Sequence, residues 1–263
     1  MKKPIVLLFI LLLCQVQKAF SQIEIRGTFE DGYENRELRI VDDTLMIAYQ
    51  SIWLKNVLFV GAGLNVNYKG FSVHSNNRLF FNPEKLLKYK FLQFEYSIGV
   101  DYRNSKIDFL SLSAEHMRSN SIGSNAVHEA YDRIYFKLDT LKLRINPQIK
   151  VYSISEFGYE NRSLKIYDSV TDLGSSLDWL KNVLFTNIPL IFIYKGLSLY
   201  GNIKTYFRPE KLFKYNPLQS EYGIGISYET NGVLFSLEHL CSHSIESRVF
   251  YNVYDLVSIK IDF

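Results

Sequence analysis

Apolar and polar residues alternate along most of this chain. In "LQFEYSIGVDY" the even positions hold Leu92, Phe94, Tyr96, Ile98, Val100 and Tyr102, and the odd ones hold Gln93, Glu95, Ser97, Gly99 and Asp101. A period of two marks a strand with one apolar and one polar face. The alternation recurs in "VLFVGAGLNVNY" (Leu58, Val60, Ala62, Leu64, Val66, Tyr68) and in the final "VSIKIDF" (Val257, Ile259, Ile261, Phe263). It predicts strands near residues 23–30, 57–68, 71–81, 92–102, 107–116 and 130–139. Runs of this length suit a membrane, where a strand needs about 9–11 residues with one face toward lipid and aromatic girdles at both ends. The 19 Tyr and 19 Phe against six Pro fit that, with Tyr68, Tyr102, Tyr194 and Tyr228 near strand ends. A secreted β-sandwich also alternates, but with shorter strands and fewer tyrosines on the apolar face.

The pattern occurs twice. "GYENRELRI" at Gly32 returns as "GYENRSLKI" at Gly158, "WLKNVLF" at Trp53 returns at Trp179, and "PEKLLKY" at Pro83 returns as "PEKLFKY" at Pro209, each 126 residues on. From Glu115-His116 to Glu238-His239 the offset is 123, so one hairpin has lost three residues. Self-similarity at a fixed offset reads as two copies of one unit. The copies cover about residues 22–140 and 148–263, joined by "LKLRINP". Six strands each make an all-β, transmembrane antiparallel barrel of about twelve strands; an even number per copy keeps both the same way up. The stretch 37–53, with its match at 163–179, is expected to be a long surface loop, or to supply an extra strand per copy and raise the total to fourteen. "YKG", "RNSK" and "ETNG" read as tight turns on the side of the C-terminus, which places longer connections at the opposite, outer end.

"MKKPIVLLFILLLCQVQKAFSQ" has two lysines, an apolar run from Ile5 to Cys14 and the small-residue pattern Ala19-Phe20-Ser21, which predicts a secretory signal peptide over residues 1–21. Without it the 30 Lys and Arg lose Lys2, Lys3 and Lys18, leaving 27 against 27 Asp and Glu. A neutral chain does not point to nucleic acid. Cys241 becomes the sole cysteine, so neither an intramolecular disulfide nor a cysteine-based zinc cluster can form. His74, His128 and His243 make no recognisable metal set, and no cofactor is expected.

Parity assigns faces to the polar residues. Glu24, Arg26, Glu30, Asn65, Asn67, His74, Arg78, Glu95, Asp101, Arg133, Lys137, Asp139, Lys204 and Glu221 are expected in the lumen, a mixture that suggests a salt-bridged, narrow interior rather than a one-sign filter. In "SLSAEHMRSNS" and "SLEHLCSHS" the histidines His116 and His239 share the lipid-facing parity, while Glu115 and Glu238 point to the lumen. These four are the candidate catalytic residues, with imidazole as general base at the level of lipid esters. The alternative is an amphipathic imidazole resting among headgroups. Lys85, Lys88, Lys211 and Lys214 decorate the short "PEKL" loops and are candidates for contact with lipopolysaccharide phosphates, or are ordinary solvated charges.

The alternating last strand ending in Phe263 resembles the C-termini of Gram-negative outer-membrane β-barrel proteins. The resemblance implies residence in the outer membrane and, as partners, the barrel assembly machinery, outer-membrane lipid and lipopolysaccharide. Over about thirty residues, "GVLFSLEHLCSHSIES…YDLVSIKIDF" resembles the outer-membrane lipid A 3-O-deacylases. That family has a lipid-facing His, one intervening residue and a nucleophilic Ser near the end of the penultimate strand, with a Glu orienting the His. The resemblance would make His239 the base, but Cys241 stands at the nucleophile position and Arg118 at its counterpart in the first copy. Ser242 and Ser119 come one residue late, and Glu246 would be the orienting acid. Two functions therefore remain open: a passive small-solute porin or surface-structural barrel, and an acyl-ester hydrolase of lipid A or phospholipid.

Overall fold

The structure, a computed structural model, describes residues 23–42, 47–83, 91–122, 127–167, 174–177, 180–210, 217–244 and 248–263. Its strands are β1 (Glu24–Asp42), β2 (Ile47–Tyr68), β3 (Phe71–Phe81), β4 (Phe91–Arg103), β5 (Leu110–Ser121) and β6 (Val127–Asn146), then β7 (Ile149–Tyr167), β8 (Gly174–Leu177), β9 (Val183–Tyr194), β10 (Leu197–Phe207), β11 (Pro217–Thr230), β12 (Val233–Ser244) and β13 (Arg248–Asp262). Neighbours pair in the order β6-β5-β4-β3-β2-β1-β13-β12-β11-β10-β9-β7, and the β6–β7 pairing closes the ring. This is a closed antiparallel barrel of twelve strands, with β8 appended to the far end of β7 through Leu164↔Leu177 to Tyr167↔Gly174. Closure leaves every barrel strand a partner on both sides, which a strand needs where lipid offers no hydrogen bonds.

The tight turns lie at one end. Lys69-Gly70, Lys195-Gly196 and Asn231-Gly232 all have positive φ at both positions, the two-residue geometry that matches the twist of a hairpin. "RNSK" is the exception, since β5 begins only at Leu110 and a six-residue connection, 104–109, replaces the expected tight turn. There the Asn104 side chain accepts the Lys106 N–H at 2.9 Å and draws the chain into a wider loop.

The stretch expected to be a long surface loop and the junction between the two halves of the sequence are both strand. In the 37–53 stretch, β1 runs to Asp42 and β2 starts at Ile47, with pairing unbroken from Leu38↔Ser51 to Asp42↔Ile47. Its match in the second copy contributes β8, so neither copy adds a wall strand. The "LKLRINP" junction is also a hairpin: β6 and β7 stay paired down to Asn146↔Ile149. The junction does carry the period of two, with Leu141, Leu143 and Ile145 alternating with Lys142 and Arg144, and in both segments cross-strand pairing continues to the turn.

The wall is apolar on the outside. Leu64, Ile98, Leu112, Ile134, Phe136, Ile188, Ile224 and Leu237 are among the exposed large side chains, a contiguous surface that in water would mark a binding patch and around a barrel marks lipid. Phe71, Tyr102, Tyr194 and Tyr228 stay exposed near the tight turns, with the Phe71 and Tyr102 rings 4.5 Å apart. They form the girdle at that end. Among the described residues, buried apolar side chains cluster inside the barrel as Val57, Phe59, Phe80 and Leu256, and as Tyr135, Leu180, Val183, Phe185, Tyr206 and Leu218. Val57 and Val183, Phe59 and Phe185, and Phe80 and Tyr206 are each 126 residues apart. The lumen is thus narrowed from both sides by equivalent apolar packing. Alternation alone did not single out these inward aromatics, which sit on the polar parity.

Candidate functional site

The inward-facing charges form two matching networks. Arg36 on β1 reaches Glu34 at 2.7 Å and Glu95 on β4 at 3.0 Å. Arg162 on β7, 126 residues later, reaches Glu160 at 2.8 Å and Glu221 on β11 at 3.2 Å. Each arginine bridges three strand steps, about 14 Å along the wall, so its side chain arches through the lumen. Gln93 extends the first network by donating to Glu95 at 3.1 Å and to the Ser119 hydroxyl, and Gln219 does the same with Glu221 at 3.2 Å and Ser242. The networks differ in their outer contacts. Phe80 in the first is matched by Tyr206 in the second, whose hydroxyl accepts from Arg162 at 3.1 Å and donates to Glu221 at 2.9 Å.

Other lumen charges are paired as well. Arg78 binds Glu30 at 2.8 Å, Lys204 binds Glu160 at 2.6 Å, Arg133 binds Glu115 at 2.5 Å and Lys137 binds Asp101 at 2.8 Å. Arg78 also lies over the Phe59 ring at 4.9 Å, and Lys204 over Phe185 at 4.3 Å, so the apolar clusters carry the cations that close over them. These pairs hold the charges expected in the lumen, except that Glu24 and Arg26 pair with each other at 2.5 Å at the exposed rim. Between the networks lies a chamber of about 450 Å³, lined from eleven of the twelve wall strands and therefore on the barrel axis. Five carboxylates and five cations line it, together with Asn76, Asn187, Asn202, Tyr131 and Tyr254. A second cavity of about 400 Å³ sits at the tight-turn mouth, against Asp101, Arg103 and Lys137.

The sequence-derived catalytic residues separate onto two faces. His116 is directly opposite Asp132, and His239 directly opposite Asp255, both pairs on the outer wall. Nδ1 of His116 lies 2.7 Å from an Asp132 oxygen, and Nδ1 of His239 lies 2.6 Å from an Asp255 oxygen. Glu115 is on the other side of the wall, accepting from Arg133 and, at 3.0 Å, from Tyr131, and Glu238 faces inward beside Tyr200. Neither glutamate meets its neighbouring histidine, because adjacent residues on a strand point to opposite faces. The acids that do meet the histidines are Asp132 and Asp255, which alternation alone does not single out. Their signal was the recurrence of "YD" at the lipid-facing parity, 123 residues apart.

Around the second dyad, Cys241 Sγ lies 3.2 Å from Nε2 of His243, whose ring stacks on Tyr222 at 5.5 Å between centroids and whose Nε2 lies 2.7 Å from the Tyr222 hydroxyl. Cys241 is buried under that stack. Ser242 and Ser119 are buried on the lumen side with the glutamines, so neither supplies a hydroxyl to the outer face. Lys85, Lys88, Lys211, Lys214 and Glu246 lie outside the described residues. Among the described residues no group of three or more His, Cys, Asp and Glu is arranged to hold a metal ion.

No family model matches the chain, and no curated protein sequence does. Solved structures similar to it in shape include the translocator domain of the autotransporter NalP from Neisseria meningitidis, at 10% identity and TM-score 0.42, covering 95% of each chain. The KdgM porin is similar at 8% identity and TM-score 0.39, over 88% of this chain and 99% of that one. The toluene transporter TbuX from Ralstonia pickettii is similar at 9% identity and TM-score 0.41, over 90% of this chain and 89% of its own.

Proposed function

We propose that this chain is an outer-membrane β-barrel of the Gram-negative envelope, built from two six-stranded repeats, that acts as a narrow passive channel for small hydrophilic solutes. The observation that carries the reading is the axial chamber, whose polar lining continues through paired charges on both sides. Alternating cations and carboxylates replace a solute's hydration without trapping either sign, which suits passage better than tight binding. The paired arginines and the two apolar clusters set the width. Purified protein in planar bilayers is expected to give small, discrete conductance steps with little ion preference, and a silent barrel would count against a pore.

One observation favours a second reading, a lipid acyl-ester hydrolase: His239 is held by Asp255 on the lipid-facing wall, two residues from Cys241. An acid orienting an imidazole is part of the arrangement that nucleophilic acyl transfer needs, although the imidazole in contact with the Cys241 thiol is that of His243, at 3.2 Å. In that reading the thiol attacks an ester carbonyl while imidazole takes its proton, the proton passes to the departing alkoxide, and water cleaves the thioester. The burial of Cys241, and Arg118 at its counterpart position, make this the weaker reading. Mass spectrometry of lipid A and phospholipids from cells with wild-type, His239→Ala or Cys241→Ala protein separates the two readings. The channel reading expects identical acyl patterns in all three; acyl loss that depends on Cys241 would establish the hydrolase.

A further inference from the structure

The outward-facing wall carries a guanidinium that has no counterion among the described residues. Arg118 shares the outward parity of Leu112, Ala114 and His116 and stands three residues before the outer end of β5 at Ser121. It is exposed, opposite Tyr96 on β4 and Ala130 on β6. Among the described residues it enters no ion pair or hydrogen bond. The titratable groups around it are His116, already bonded to Asp132, and His128, whose Nδ1 lies 3.2 Å from the Asn120 side-chain oxygen. The Asp132 carboxylate that could have neutralised it is taken up by the imidazole.

A guanidinium stays charged at any ordinary pH, and an unpaired charge against hydrocarbon is costly. Its side chain is long enough to reach the headgroup level, where the available anion is a phosphate that it can bind with two parallel N–H donors. Ala130 leaves room beside the stem, and the Tyr96 ring supplies an amphipathic flank. The equivalent position in the other half carries no cation. There Cys241 occupies the equivalent position, sealed under the Tyr222–His243 stack.

We propose that Arg118, flanked by Tyr96, His116 and His128, is a binding site for the phosphate group of an outer-leaflet lipid, present on one side of the barrel only. The site rests on the outer-membrane reading above, because it needs the outer end of β5 to lie at a phosphate layer.

The test is native mass spectrometry of the full chain in detergent with added lipid A, phosphatidylglycerol or neutral diacylglycerol. Wild-type protein is expected to retain one phosphate-bearing lipid and no diacylglycerol, and whichever of the two phospholipids is retained more strongly identifies the source. Arg118→Gln is expected to lower that occupancy about tenfold, and Arg118→Lys to keep part of it as a point charge. Arg103→Gln, at the opposite end of the barrel, is the control and leaves it unchanged. Equal retention by wild type and Arg118→Gln, or equal retention of diacylglycerol, overturns the site. Heat-modifiable gel mobility establishes that each variant is folded, and Arg118→Lys carries the comparison if Arg118→Gln is not. Sucrose-gradient fractionation separates the two failures: wild type in the outer-membrane fraction with unchanged Arg118→Gln binding refutes only the site, whereas recovery in the inner membrane refutes the reading beneath it.

Discussion

Replacing Arg36 and Arg162 together by alanine is expected to raise single-channel conductance two- to threefold, on the order expected when a hydrated constriction loses two arching side chains. Both arginines span three strand steps within the lumen, and each joins two carboxylates: Glu34 with Glu95, and Glu160 with Glu221. The substitution also changes selectivity. The axial chamber is lined by five cations and five carboxylates, and removing two cations leaves three against five. The double variant is therefore expected to favour cations over anions, whereas Glu95→Gln with Glu221→Gln is expected to tilt the other way. Reversal potentials under a salt gradient measure both. A double variant with wild-type conductance and no ion preference would mean that these networks do not line the conducting path. Single substitutions are expected to give about half the effect, since the networks sit on separate halves of the wall.

The second large effect is on closure. Gly158 on β7 lies directly opposite Tyr135 on β6, and Gly32 on β1 lies directly opposite Phe59 on β2 with β13 on its other side. A Cβ at Gly158 would meet the Tyr135 backbone, with Cα at 2.7 Å, and one at Gly32 would meet the Phe59 ring at 2.8 Å and the Val257 carbonyl. Backbone and a buried ring cannot yield as the tip of a flexible side chain can. Gly158→Val is expected to cost about 3 kcal/mol or more, at the upper end of overpacking, and Gly32→Val a similar amount. The measurement is the fraction of protein that keeps fast, heat-modifiable mobility across a urea series. Gly201→Ala is the matched control, because its only close neighbour is the Gly223 carbonyl at 3.6 Å, and its midpoint should stay near wild type. A Gly158→Val barrel as resistant to urea as Gly201→Ala would refute the close packing inferred here.

Parity was legible in the sequence, and register was not. Alternation placed Ile98, Val100 and Ile259 outside and Glu30, Arg78 and Glu221 inside, because lipid on one side and water on the other select every second residue. It also put His116 and His239 on the outer wall with Glu115 and Glu238 behind them. Parity does not tell which residue of the next strand stands opposite, since that depends on the length of the connecting turn. Asp132 and Asp255 therefore stayed hidden until the pairing His116↔Asp132 and His239↔Asp255 was in view. The outer halves of β1 and β2 were hidden for a different reason: their hairpin is a backbone pairing, from Leu38↔Ser51 to Asp42↔Ile47, which a sequence pattern of faces does not report. Phe59, Phe80 and Phe185 are on the inward parity, where an aromatic departs from the polar norm. Only their packing against partners from neighbouring strands reveals a core.

Gly32 and Gly158 also mark two lines of the wall, β1 against β13 and β6 against β7. One line is β1 against β13, where the Gly27 N–H donates to the Phe263 carbonyl at 2.8 Å and the Phe263 N–H donates back at 3.0 Å. The other is β6 against β7, which runs on past the wall to the turn at Pro147. Each line pairs two antiparallel strands, β1 with β13 and β6 with β7, and both end at the mouth that carries the tight turns. A circular permutant opened at Pro147, with residue 263 joined to residue 23, would enclose the same lumen while placing Phe263 inside the polypeptide. Such a barrel would keep its walls but carry no terminal aromatic, and would separate what the last residue does for the finished wall from what it does during delivery to the membrane.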